Sequence, residues 1–172
     1  MTEYQRPAPL DAARHSRATF ESGEPVLDEW LRRYAGQNRR RDAAATWVIA
    51  DTADIVVAYA GVAMSAIDRS AAPATVGRQA PDPIPALLVG RLAVDHAHAG
   101  LGLGTALVSH ILATAVELNS KAACRAVVAT ALNPSPHRWW RRLGFQPFEL
   151  TEQALDLYLL TADIQATLQG RR

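Results

Sequence analysis

Three glycines at alternate positions, Gly100, Gly102 and Gly104, stand between an apolar run, ALLVGRLAVD at 86–95, and a segment in which Ala106, Leu107, Ile111 and Ala115 keep helical spacing to about Asn119. A chain that puts this much glycine between a strand end and a helix start has few ways to fold there. Glycine takes positive φ and lets other groups approach the backbone closely. The N–H groups of Leu101, Gly102, Leu103, Gly104 and Thr105 are therefore expected to converge at the positive end of a helix dipole, a layout suited to a diphosphate. The same spacing also serves a tight turn with no ligand, and the motif alone does not choose between them. Two nucleotide sites are excluded. No Lys-Ser/Thr follows the glycines as in a P-loop, and what precedes them is not the opening of a βαβ unit with a ribose-binding acid.

Strands and helices alternate around this turn. Leu27, Trp30, Leu31 and Tyr34 recur at helical spacing and predict one buried helix face, while 38–45 is too polar to hold a core. TWVIAD at 46–51 and IVVAYAGVAM at 55–64 predict a hairpin across a turn at 52–54. The Pro- and Ala-rich stretch 65–85 has no periodicity and reads as a long surface loop. Beyond the glycine helix, AVVATAL at 126–132 completes a strand, helix, strand unit. A short helix is expected over 134–143, with Asn133 as N-cap, Pro134 at its first position and Gly144 as its stop. FQPFEL and ALDLYLL predict two last strands. The pattern is that of an α/β or α+β sheet protein.

A length of 172 residues fits one domain with a real core, and 49% hydrophobic against 20% charged residues is a globular balance. No apolar run suggests a membrane span and the first ten residues lack the core of a signal peptide, so a cytoplasmic location is expected. The lone cysteine, Cys124, forms no internal disulfide and is expected in the core. The five histidines show no metal-ligand spacing, and no metal is assigned. With a net charge of only +1, a polyanion has to be met by local clusters such as Arg39, Arg40 and Arg41, or Arg138, Arg141 and Arg142. Such runs are also common as solvated helix faces.

Taken in order, FESGEPVLDEWL at 20–31, PIPALLVGRLAVD at 83–95, GLGLGTALV at 100–108 and WWRRLGFQPF at 139–148 resemble the GNAT N-acetyltransferases over nearly the whole chain, and among them the TacT-like toxins of toxin–antitoxin pairs. The resemblance implies a single GNAT domain over 1–172, with a mixed, mostly antiparallel sheet flanked by helices. It implies acetyl-coenzyme A as donor, its pantetheine along the backbone of Leu92, Ala93 and Val94, its diphosphate on the turn from Ala99 to Thr105, and Asn133 near the pantetheine arm. It also implies aminoacyl-tRNA as acceptor, acetylated on the α-amine so that translation stops, and a ribbon-helix-helix antitoxin as partner. Oligomeric state stays open, a homodimer included.

Three residues depart from the family pattern. Ala99 replaces a Gln or Arg and Leu101 a commonly basic residue, so two charge-assisted phosphate contacts are absent and the backbone amides remain. Trp140 occupies the place of the tyrosine that usually serves as general acid. An indole N–H donates a hydrogen bond but gives up no proton at neutral pH, and general acid help is worth about 10²- to 10⁴-fold. Trp139, Trp140 and Leu143 would share one helix face, and Arg138, Arg141 and Arg142 the other. The tryptophans then serve either packing or the cofactor, and the arginines suit an RNA backbone.

An α-amine, with a pKa of about 8, is partly neutral at physiological pH and a lysine amine is not, which favours an α-amine acceptor where no base is evident. His96, His98 and His137 are the only titrating candidates near the motif and read as surface histidines. Arg91 alternates with Leu92 and Val94 and faces either the acceptor or an acidic partner on a neighbouring strand. Two rivals remain: an acetyltransferase acting on a small molecule or a protein, and a catalytically impaired acetyl-CoA-binding module.

Overall fold

The computed structural model describes residues 2–133, 135–149 and 156–170. In chain order the elements are β1 (Ala8–Pro9), α1 (Pro25–Glu29), a π-helical turn (Trp30–Tyr34), α2 (Ala35–Arg40), β2 (Ala45–Ala50), β3 (Val56–Ile67), α3 (Ala74–Gly77), β4 (Ile84–Val94), α4 (Leu103–Lys121), β5 (Ala126–Thr130), α5 (His137–Arg142), β6 (Gln146–Pro147), β7 (Asp156–Leu160) and α6 (Thr161–Gln169). The strands make a seven-stranded mixed sheet in the order β1-β2-β3-β4-β5-β7-β6, flanked by helices. The chain groups into two compact units, Met1–Ala63 with Gly90–His110, and Met64–Val89 with Ile111–Arg172.

In the first unit the expected hairpin forms, with β2 antiparallel to β3 and Trp47 opposite Ala60. Asp51 shapes its turn: the carboxylate accepts from the Ala53 and Ile55 amides. Phe20, Leu27, Trp30, Leu31, Ala35, Val48, Val56, Tyr59 and Ala93 pack as one core. The single helical face expected from spacing is corrected at Tyr34, which is 44% exposed. The π turn widens the helix by one residue at that point, with the Ala35 amide bonded to the Trp30 carbonyl, so the buried stripe steps five residues from Trp30 to Ala35 and leaves Tyr34 outside. The helix also continues to Arg40, into the polar stretch that begins at 38, where it buries no residue.

In the second unit β4 and β5 run parallel from Ala86 beside Ala126 to Val89 beside Ala129, and β7 pairs antiparallel with β5 and with β6. A parallel pair needs a crossover, and α4 supplies it. The stretch 65–85 is not a surface loop. It holds the end of β3 and α3, and Val76, Ala80 and Ile84 are buried with Ile67, Ala86, Val128 and Tyr158. Arg125 ties it down, Nε donating to the Val76 carbonyl at 2.7 Å and Nη2 to that of Arg78 at 2.8 Å. A guanidinium reaching across 49 residues of sequence has no signature in periodicity. Of the two expected last strands, described residues show Gln146–Pro147 and Asp156–Leu160; 150–155 lie outside the described residues.

Candidate active site

The glycine turn is prepared by the N-terminal segment. Asp95, buried at the end of β4, accepts at Oδ1 from the Ala97 amide and at Oδ2 from the Glu21 amide, both at 3.0 Å. Its own amide donates to the Val57 carbonyl at 2.8 Å. His96 returns the link: its amide and its Nδ1 both meet the Glu21 carbonyl at 2.8 Å. Since that carbonyl only accepts, Nδ1 carries a proton, and the bond holds the imidazole pKa above its usual value. Next to Glu21, the buried Asp28 carboxylate accepts from the Ser22 amide at 3.0 Å and from the Ser22 hydroxyl. Two carboxylates thus clamp two successive amides. Tyr4 adds a hydrogen bond between its hydroxyl and Nδ1 of His98 at 2.9 Å. The FESG and LDEWL segments showed where these groups lie, but nothing in their spacing linked Asp95 to Glu21.

Past this anchor Ala99 is extended, and Gly100 and Gly102 take φ of +76° and +80°. A Cβ built on either glycine meets no atom within 4 Å, so open space lies against the backbone at both. The three glycines are not equivalent, because Gly104 already sits buried in the first turn of α4. The Ala106 amide bonds to the Gly102 carbonyl at 3.0 Å, which marks where the helix ladder begins. The amides before it, at the start of a 19-residue helix, have no partner of the ladder's own. Leu101 is 60% exposed and Thr105 is exposed. Amides, dipole and open space are together, and no side-chain cation stands at 99 or 101.

On β4, Ala93 is buried in the first core while Leu92 and Val94 are partly exposed. The strand continues five residues past Val89, the last position paired with β5. Arg91, on the Ala93 side as alternation predicts, is partly exposed and meets no acid among the described residues. Its guanidinium lies 4.7 Å from the centroid of the Trp30 ring. The ion pair weighed from sequence does not form among the described residues.

In the second unit α5 begins at His137, with Pro136 as its N-cap, rather than at 134, which is not described. Asn133 does not cap it; its Oδ1 accepts from the Ser135 amide at 3.0 Å. Trp140 is 4% exposed and meets Trp139 and Phe145 edge-to-face at centroid distances of 4.9 and 5.0 Å. Arg138, Arg141 and Arg142 are exposed, as the helix-face argument requires. His137 is not a surface histidine: it is buried and its Nε2 has no partner. Arg39, Arg40 and Arg41 are exposed in the first unit, Arg39 pairing with Asp42 at 3.3 Å. Among the described residues no group of three His, Cys, Asp or Glu is placed to hold a metal, and no helix is long and apolar enough to cross a membrane.

Comparison with known proteins gives this geometry its context. Residues 42–147 match the acetyltransferase (GNAT) domain family. The chain is 31% identical over 168 residues to a tRNA-acetylating toxin of Mycobacterium tuberculosis, covering 98% of this chain and 99% of that protein. Among solved structures it is similar to AtaT complexed with acetyl-methionyl-tRNAfMet, with TM-score 0.86 and 23% identity over 96% of this chain and 99% of that one. It is also similar to a tyrosine-to-phenylalanine mutant of KacT, with TM-score 0.85 and 22% identity over 95% and 99%. At these identities the structures speak for the fold. Because the family match runs through more than half of the sequence and takes in the glycine turn, the chain belongs to the GNAT acetyltransferases.

Proposed function

We propose that this acetyltransferase moves the acetyl group of acetyl-CoA to the α-amine of an aminoacyl-tRNA and so acts as a toxin that stops translation. The observation that carries the cofactor is the turn at Gly100 and Gly102, two positive-φ glycines facing open space ahead of a long helix. A diphosphate fits that cradle, held by backbone amides and the helix dipole alone. The partly exposed stretch Leu92, Ala93, Val94, beyond the ladder with β5, suits an extended arm that needs backbone partners. Asn133 is assigned to the same arm. The reading treats 1–172 as one domain, supported by a family match that runs through both compact units.

Acetyl-CoA supplies an activated thioester. The chain's part is to hold it, align the amine and exclude competing water. An amine attacks as the neutral species, and an α-amine with a pKa of about 8 reaches that state without a dedicated base. Trp140, assigned to the position of the family's acid, offers an N–H to developing charge but no proton, so thiolate departure is expected to be slow. The acceptor is favoured by the relatedness to a tRNA-acetylating toxin and by the exposed arginines of α5. Structural relatives include AtaT bound to the C-terminus of its antitoxin AtaR, and we assign this chain an antitoxin of its own, of the ribbon-helix-helix type.

The test replaces Arg138, Arg141 and Arg142 together by Gln. Removal of each arginine–phosphate pair should flatten the salt dependence of tRNA binding by about one unit of slope. Acetylation of charged tRNA should collapse while acetyl-CoA affinity stays. Full activity with the wild-type slope removes these arginines from the tRNA surface. Efficient turnover of a small free amine, independent of salt, would instead favour the small-molecule reading.

A further inference from the structure

The side chain of Arg91 ends a ladder of aromatic rings. Phe20 meets Tyr59 edge-to-face at 5.5 Å, Tyr59 stacks on Trp30 with planes 12° apart at 5.8 Å, and the Arg91 guanidinium covers the Trp30 ring at 4.7 Å. Each rung is fixed. The Tyr59 hydroxyl donates to the Leu27 carbonyl at 2.7 Å, and Gly61 leaves room for the indole where a Cβ would come within 3.1 Å of it. Phe20, Tyr59 and Trp30 are all buried, while Arg91 is only partly so.

A guanidinium held over an aromatic ring is attracted through its charge and keeps N–H donors for another group. Among the described residues no carboxylate pairs with Arg91, and no carbonyl takes its hydrogen bonds. Arg32, by contrast, is committed to the Phe20 carbonyl at 2.7 Å, and Arg125 to two carbonyls. Arg91 is therefore a cation held in place with its binding edge unspent. It also stands back along the strand from the start of the glycine turn: three residues, Leu92, Ala93 and Val94, separate it from Asp95, and the two Cα atoms are about 13 Å apart at the rise of a β-strand.

We propose that Arg91 is a specificity-determining anion receptor for the acceptor, its guanidinium taking a backbone phosphate near the 3′ end of the RNA in a two-pronged hydrogen-bonded pair. The inference rests on the aminoacyl-tRNA reading. A planar fork suits two phosphate oxygens, and the aromatic ladder removes the rotamer freedom that a surface arginine would lose on binding.

The test compares Arg91→Gln and Arg91→Lys with the wild type, using charged tRNA and a short single-stranded RNA ending in CCA. Arg91→Gln should weaken binding of both by about 10- to 100-fold, as loss of a charge-assisted pair does. It should flatten the salt dependence by about one unit of slope and raise KM for charged tRNA, with acetyl-CoA affinity unchanged. Arg91→Lys, which keeps charge without the fork, should fall between them. If Arg91→Gln lowers only the melting temperature, with wild-type RNA affinity and salt slope, Arg91 merely caps the ladder and the assignment fails while the substrate reading stands. If the wild-type protein binds neither RNA, both fall together.

Discussion

The Cβ that Gly61 lacks would lie 3.1 Å from the Trp30 ring, closer than side chains normally pack. Trp30 cannot yield easily, because Tyr59 is stacked on it and Arg91 covers it. Gly61→Ala should therefore destabilise the protein by about 1–3 kcal/mol, the usual range for overpacking, despite alanine's better fit to a strand. Denaturant unfolding measures it. A variant as stable as the wild type would mean that the indole shifts freely and that the ladder is not rigid.

Gly102 and Gly23 make a matched pair, with φ of +80° and +91° and no atom within 4 Å of a Cβ built on either. Alanine at each should cost about 1–2 kcal/mol of backbone strain. Only Gly102→Ala should also lower acetyl-CoA affinity, because there the new methyl group occupies the space assigned to phosphate. Calorimetric titration of both variants separates strain from ligand clash. Equal affinities would remove the diphosphate from this turn.

His15 gives a pH dependence with a definite sign. It is buried, and its Nδ1 accepts from the Asp11 amide at 2.9 Å, so protonation breaks that bond. Burial, then the nearby Arg14, holds its pKa below the ordinary value. A depressed pKa in the fold contributes stability in full above the unfolded value of about 6.5. That contribution is lost as pH falls through the folded pKa. His15→Asn, whose amide oxygen still accepts, should remove this part of the acid sensitivity. Melting temperatures followed from pH 7.5 downward would show it, and an identical pH profile in both proteins would remove His15 as the cause.

Cys124 shows how the same burial silences a thiol. Fully buried, it has its pKa pushed up by desolvation. Native protein should resist alkylation by iodoacetamide at pH 8 and react once unfolded. Rapid labelling under native conditions would place the thiol at the surface.

What could be read from sequence followed from short-range pattern. The hairpin of β2 and β3, the strand, helix, strand unit around α4 and the opposed faces of α5 all follow from periods of two and 3.6. Glycine alternation located the open turn at Gly100 and Gly102, though it could not tell that Gly104 belongs to the helix. The misses have physical causes of two kinds, local and long-range. The π turn that leaves Tyr34 outside is a local backbone bond from Ala35 to Trp30 that breaks the 3.6 period, while the Arg125 guanidinium that seats the 74–80 segment and the Asp95 to Glu21 bond are side-chain contacts between segments far apart in sequence, which leave no periodic trace. His137 reads from sequence as a surface histidine because it stands close to the chain turn before the helix, although the expected helix already sets it one turn before Trp140. The two residues share that buried face.

Trp140 offers the sharpest test of the chemistry. The indole sits 4% exposed between Trp139 and Phe145, so part of its role is packing, and a smaller ring there should cost a fraction of the about 3–5 kcal/mol of a full Trp→Ala truncation. What the indole cannot do is release a proton to a departing thiolate, whereas a phenol, with a pKa of about 10, can. If Trp140 holds the place of the general acid, Trp140→Tyr should raise kcat by at least about tenfold, short of the 10²- to 10⁴-fold that such catalysis reaches in a well-formed site. KM for acetyl-CoA should barely move, because the substitution adds proton transfer and not ground-state binding. Trp140→Phe is the control, with the same smaller ring and no hydroxyl, and it should lose stability without gaining rate. A Tyr variant that folds, binds acetyl-CoA and turns over no faster than the Phe variant would show that position 140 does not face the thiolate, leaving Trp140 to the core alone.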